Sequence, residues 1–108
     1  MRIASISVSN SATGSTQSSP YPVNFKANNF GIGLGLTMTA SKGIAADIEH
    51  TFDDPKVALS TWHKHEALTS QSASADGNYA FPVTAIRINV TAATATGGTT
   101  TLQIVQND

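Results

Sequence analysis

The sequence predicts an all-β domain: an antiparallel β-sandwich of the jelly-roll kind, or a small barrel, with about seven strands and little helix. Three observations lead there. From Phe30 to Ser41 the chain reads FGIGLGLTMTAS, a strict two-residue alternation. That is the period of a strand, whose side chains point to opposite faces in turn. Several further short runs alternate in the same way, with turn residues between them. No stretch holds a helical period long enough to compete.

Taken in order, Arg2 to Val8 reads as a first strand, with Ala4, Ile6 and Val8 on one face and serines on the other. Ser9 to Pro20 (SNSATGSTQSSP) is polar with no apolar anchor beyond Ala12, and reads as a flexible loop or arm, residues 9–20. Tyr21 to Phe25 resumes an extended run, which Pro22 restricts to a sheet edge or an entry segment. Asn28-Asn29 suits a turn. In the long strand that follows, Phe30, Ile32, Leu34, Leu36 and Met38 share one face, while Gly31, Gly33, Gly35, Thr37 and Thr39 share the other. Glycine weakens a strand, so three on one face call for a bulge, a bend or a closely approaching backbone.

Ser41-Lys42-Gly43 then forms a tight turn into Ile44–Phe52, and the two runs read as an antiparallel hairpin. Asp53-Asp54-Pro55 ends that strand, and Lys56 to Ser60 is ambiguous. Thr61–Leu68 carries the only tryptophan. Asp76-Gly77-Asn78 is a strong turn signal. After Pro82, Thr84, Ile86, Ile88 and Val90 alternate with Ala85, Arg87, Asn89 and Thr91. The chain turns near Gly97-Gly98 and returns from Thr99 to Gln106, the pattern of a second hairpin.

Size and charge narrow the function. The 108 residues make one domain, 1–108, long enough to bury a core. There is no cysteine, so no disulfide or thiolate metal site is available. A net charge of −1 leaves no electrostatic footprint for nucleic acid or an anionic membrane. The N-terminus lacks the apolar stretch of a signal peptide, and no run approaches the ~18 apolar residues of a membrane span. The expected setting is therefore a cytoplasm, or an assembly made in one. Charged residues are 12% of the chain, about half the ~25% usual for globular proteins. Their place is taken by 26 serines and threonines, a surface polar by hydroxyl that suits repeated β-assembly.

Candidate chemistry is thin. His63-x-His65 on a strand would place two imidazoles on one face, half a metal site that Glu66 and Asp53 or Asp54 could complete. Two exposed polar residues on a surface strand explain the pair more simply, and no metal is expected. Asp47, Glu49, Asp53 and Asp54 are read as a solvated face plus a turn. GIGLG lacks phosphate-loop spacing and a following helix. Asn89-Val90-Thr91 is an inert sequon. The residues singled out are for contact: Gly31, Gly33 and Gly35 as a smooth outer surface, Trp62 as a core or interface anchor, and Arg87 as a surface residue or a salt-bridge partner across an interface.

Three stretches carry a family resemblance when taken together: IEHTFDDP (Ile48–Pro55), TWHKHEAL (Thr61–Leu68), and FPVTAIRINVTA (Phe81–Ala92) followed by TTTLQIVQ. In order and spacing they resemble small virion structural proteins of tailed bacteriophages, over about the C-terminal 60 residues. The resemblance implies a non-enzymatic particle component without cofactor or catalytic residues. Its most economical role is a capsid cement or decoration protein on the capsid surface, partnered by itself as a homo-oligomer and by the major capsid protein. Glu49, Asp53, Asp54 and Pro55 carry over as turn architecture, and Trp62, Pro82, Ile86, Arg87 and Val90 as scaffold. The alternatives are a tail, neck or head-fibre component, and a carbohydrate-binding sandwich using Trp62, Tyr21 or Tyr79.

Overall fold

Among the described residues, nine strand segments form two antiparallel sheets packed face to face. The structure, a computed structural model, describes residues 2–10, 16–24, 30–39, 43–53, 61–93 and 97–106. One sheet (sheet A) runs β1 (Arg2–Asn10), β9 (Gly98–Gln106), β4 (Ile32–Met38), β7 (Ala75–Tyr79). The other (sheet B) runs β2 (Thr16–Gln17), β8 (Ala85–Ala92), β5 (Ala45–Thr51), β6 (Trp62–Lys64), with β3 (Tyr21–Pro22) also paired to β8. Two-residue β2 and β3 share one edge, which brings the segment count above the expected seven.

The core lies between the sheets and is made by the apolar half of each alternation. Ile32, Leu34 and Leu36 of β4 and Leu102 and Ile104 of β9 point inward from sheet A. Ile48 of β5 and Ile86, Ile88 and Val90 of β8 meet them from sheet B, all almost wholly buried. Each such side chain contributes about 1.5–3 kcal/mol by leaving water.

Both expected hairpins are corrected. β4 and β5 do not pair, and neither do β8 and β9; in each case the two strands lie in different sheets. The physical reason is that each strand carries one apolar face. Side by side, two such strands still need a lid; facing each other across the sandwich, they cover one another. The connections nevertheless bend where expected: Gly43 (φ 62°) and Gly97 (φ 83°) occupy the left-handed region that glycine tolerates.

Asp76-Gly77-Asn78 is also corrected. It forms no turn but runs through the middle of β7, with Gly77 opposite Leu34 of β4. The glycine serves a close approach: a Cβ on Gly77 would lie 3.0 Å from Leu68 Cδ1 and 3.5 Å from His65 Cε1. The segment after β6 folds over this spot, held to β5 by Leu68, His65 and Gln71 through backbone hydrogen bonds.

The polar stretch 9–20 is not a loop throughout. Ser9 and Asn10 belong to β1, Thr16-Gln17 pair with Val90 and Asn89, and the Ser18 hydroxyl accepts the Ile88 N–H at 2.9 Å. Residues 11–15, Phe25, the Asn28-Asn29 turn, Ser41-Lys42, Asp54-Pro55 and Lys56–Ser60 lie outside the described residues. Pro22 does sit on a sheet edge, opposite Ala85. Among the described residues no helix is long and apolar enough to cross a membrane.

Candidate functional site

Three surfaces gather the chain's distinctive residues. The first is the outer face of sheet A. Strand register builds it in rows: Ile3–Val105–Gly33–Asn78, then Ser5–Gln103–Gly35–Asp76, then Ser7–Thr101–Thr37, then Ser9–Thr99. Ser7 and Thr101 share a hydroxyl–hydroxyl hydrogen bond of 3.0 Å, Ser9 and Thr99 one of 3.3 Å. Asp76 is the only charged residue at an outward position of β4, β7 and β9. The glycines leave a shallow trough between β9 and β7, two adjoining hollows of about 650 and 530 Å³ that share Gly35, Asp76 and Gln103.

Nothing inside the fold demands glycine at Gly33 or Gly35. Their φ angles are not positive, and a Cβ at either would come no nearer than 4.0 Å to another residue. Gly31 lies just before β4, half-buried.

The second surface is the outer face of sheet B, and it overturns the expectation of a solvated carboxylate face. Asp47 is 1% exposed and Glu49 6%. The Arg87 guanidinium donates from Nε to Glu49 Oε1 at 2.7 Å, Asn89 Nδ2 donates to Oε2 at 3.2 Å, and the guanidinium lies 4.2 Å over the Trp62 ring. Asp47 accepts the Ser70 N–H at 2.6 Å and faces Lys64 Nζ at 3.4 Å. The register explains the grouping: Glu49 pairs with Lys64 on one side and Arg87 on the other. Ser70, at φ 54°, holds a left-handed backbone with its N–H on Asp47. Arg87 and Trp62 are thus engaged with each other and with Glu49. They lie on the face opposite Gly33 and Gly35, so the contact residues singled out from the sequence do not form one patch.

The third surface escaped the sequence reading. All three histidines of the chain gather with Phe52, Tyr79 and Phe81 at one end of the sandwich. His50 is the hub, its ring 4.9 Å from Tyr79, 5.3 Å from Phe52, 5.7 Å from His63 and 5.7 Å from Phe81. Phe52 and Phe81 are about half exposed. Beside them a hollow of about 380 Å³ is lined by Lys64, His65, Glu66, Asn78 and the rings of His50, Tyr79 and Phe81. The available signal was the β5 core face, which continues past Ile48 into His50 and Phe52.

Burial, then the charges of His63 and His65, hold the His50 pKa below the usual imidazole value, against a smaller opposing pull from Glu49. Burial, with help from Glu49, lifts the Tyr79 phenol far above its ordinary range. We assign their 2.8 Å contact as a phenol O–H donating to Nδ1 of a neutral imidazole. His65 uses both ring nitrogens: Nε2 donates to the Asn78 carbonyl at 2.7 Å, and Nδ1 accepts the Ala67 N–H at 3.1 Å. That occupies the lone pair a metal would need, so His63-x-His65 does not converge as a ligand pair. Among the described residues no group of three His, Cys, Asp or Glu is placed to hold a metal ion.

No protein-family model and no curated protein matches the chain. Among solved structures it is similar to a subunit of the disulfide-linked pili of Bacillus endospore appendages, at 13% identity and TM-score 0.47, over 99% of this chain and 87% of that one. It is similar to a β-sandwich carbohydrate-binding module at 13% identity and TM-score 0.44, spanning 55% of that chain, and to VP2 of an infectious bursal disease virus subviral particle at 14% and 0.43, spanning 33%. No functional conclusion for this chain rests on likenesses at this level.

Proposed function

We propose that the chain is a non-enzymatic structural subunit of a virion, a cement or decoration protein of the capsid surface. It associates with itself and with the major capsid protein, without nucleic acid, membrane or cofactor. The observation carrying this reading is the outer face of sheet A: broad, hydroxyl-lined, nearly free of charge, and bearing glycines the fold itself does not require. A bare trough accepts another backbone closely, and with Asp76 the one charged residue lining it the desolvation cost is small. The resemblance of about the C-terminal 60 residues, Ile48 through TTTLQIVQ, to virion proteins of tailed bacteriophages supports the same reading. Gly31, at the head of this row, belongs to the same surface.

Gly33→Val tests it. The variant is expected to fold as stably as the parent and to lose attachment to particles in a co-sedimentation assay; full attachment would overturn the reading. Quantitative gel analysis of whole virions separates the tail, neck or head-fibre alternative: copies spread over the head support decoration, a few copies at one vertex favour the alternative.

A second reading, a carbohydrate-binding sandwich, is favoured by half-exposed Phe52 and Phe81 beside the hollow with Lys64, Glu66 and Asn78. Glycan-array binding by the parent that Phe81→Ala abolishes, together with no attachment of the parent to particles, would replace the virion reading with this one.

A further inference from the structure

Sheet A has one edge that is long, regular and unguarded. β1 pairs with β9 through nine consecutive residues, Arg2↔Gln106 to Asn10↔Gly98, without a register shift. Among the described residues no strand pairs with its other edge. Alternate N–H and C=O groups of an edge strand point outward, and such an edge is a template for another strand unless something blunts it.

The other edges are blunted. β6 is three residues long and carries Lys64. β2 and β3 are two residues each, with Pro22 in β3. β7 carries Asp76, and its Asn78 carbonyl is capped by His65. β1 contains no proline and no bulge, and its single charged residue, Arg2, stands at its end. The inward residues Ala4 and Ile6 also remain only partly buried, while Leu102 and Leu36 in the row of Ile6 are 0% and 1% exposed and Ile104 and Leu34 in the row of Ala4 are 1% and 4% exposed. The core is left incomplete on the β1 side.

We propose that β1 pairs antiparallel with β1 of a second copy of this chain about a two-fold axis at Ile6, joining two A sheets into one eight-stranded sheet. The occupant follows from self-complementarity. Centred on Ile6, the pairing sets Ile6 against Ile6 and Ala4 against Val8 on the inner face, completing both cores. On the outer face it sets Ser5 against Ser7 and Ile3 against Ser9. Apolar meets apolar at every inner pair and hydroxyl meets hydroxyl at Ser5–Ser7, Ile3 against Ser9 being a mixed pair, and the two Arg2 residues stand at opposite ends of the ladder. A two-fold interface requires a patch to match itself in this way, and main-chain bonding along an edge supplies the affinity.

The experiment is sedimentation velocity on the purified full chain. The parent is expected to be a concentration-dependent dimer. S5K/S7K places lysines directly opposite lysines and is expected to weaken dimerisation about tenfold or more, without changing the circular dichroism spectrum, since both serines are exposed. Mixing it with S5E/S7E is expected to restore a heterodimer. A parent that is monomeric at every concentration, an S5K/S7K variant that dimerises like the parent, or a mixture that stays monomeric would each overturn the pairing. Hydrogen exchange of the parent gives a second readout: alternate β1 amides gain protection with concentration if the pairing holds, and none does if it fails. Gly33→Val leaves this dimer intact, so failure of the particle reading and failure of the edge pairing are told apart.

Discussion

The two outer faces of the sandwich are built on strands of the same alternation, yet they handle polar residues in opposite ways. On sheet B, Lys64 and Arg87 neutralise Asp47 and Glu49 within the chain, with Asn89 donating to Glu49 and the Trp62 ring beneath the guanidinium. Two carboxylates there are as buried as core residues. On sheet A most outward residues are serines, threonines and glycines, joined by Ile3, Val105, Gln103, Asn78 and Asp76, with short hydroxyl ties and room above the glycines. A face whose groups already satisfy each other offers a partner little. A face of small hydroxyl side chains and bare backbone offers it contact at small desolvation cost.

The largest expected effect is on the self-satisfied face. Arg87→Ala leaves the Glu49 carboxylate buried without its cation, and urea unfolding is expected to register a loss of about 3–5 kcal/mol. A loss below about 1 kcal/mol, the value of an exposed pair, would erase the contrast between the faces.

Glycines sharpen it next. Gly77→Val drives a branched side chain into buried Leu68 and is expected to cost about 1–3 kcal/mol. Gly33→Val, on the neighbouring strand but facing out, is expected to leave the melting temperature unchanged or raised, strands favouring valine. Equal losses at both positions would mean that the glycine row serves the fold rather than a partner.

The smallest effect belongs to the ring cluster. The folded pKa of His50 lies below its unfolded value near 6.5, so in the window between them the unfolded chain binds the extra proton. Stability is therefore full above about pH 6.5 and falls as pH drops through the window, by at most about 1.4 kcal/mol per pH unit. Denaturant melts from pH 8 to 5 should show that slope, and His50→Gln should flatten it. An unchanged slope in the variant would assign the effect elsewhere. The groups facing His50 are His63 and His65 beside it, Tyr79 from β7, and Glu49 one residue before it, whose pull Arg87 offsets.

Much of this was legible in the residues. The alternation in Phe30–Ser41, Ile44–Phe52 and Thr84–Thr91 identified Ile32, Leu34, Leu36, Ile48, Ile86, Ile88 and Val90 as inward-facing, and the structure buries them all. Pro22 announced an edge. The candidate site was less legible. Gly33 and Gly35 were visible as an outer row, but Trp62 and Arg87 could not be placed, because their partner Glu49 is distant in sequence and meets them only through β5 pairing with β6 and β8. The ring cluster was hidden for the same reason, its members coming from β5, β6, β7 and the residues just beyond.

Periodicity along one strand determines which side chains share a face, since the pleat sends successive residues to opposite sides. The all-β class, the core residues and the bare glycine row follow from that alone. It says nothing about which strand lies alongside and which lies across, because both arrangements cover an apolar face. Only the tertiary structure put β4 and β5, and β8 and β9, in different sheets, turned Asp76-Gly77-Asn78 into a strand beneath Leu68, and buried Asp47 and Glu49. A polar residue leaves water only where partners from other strands meet it, and those partners are brought by topology.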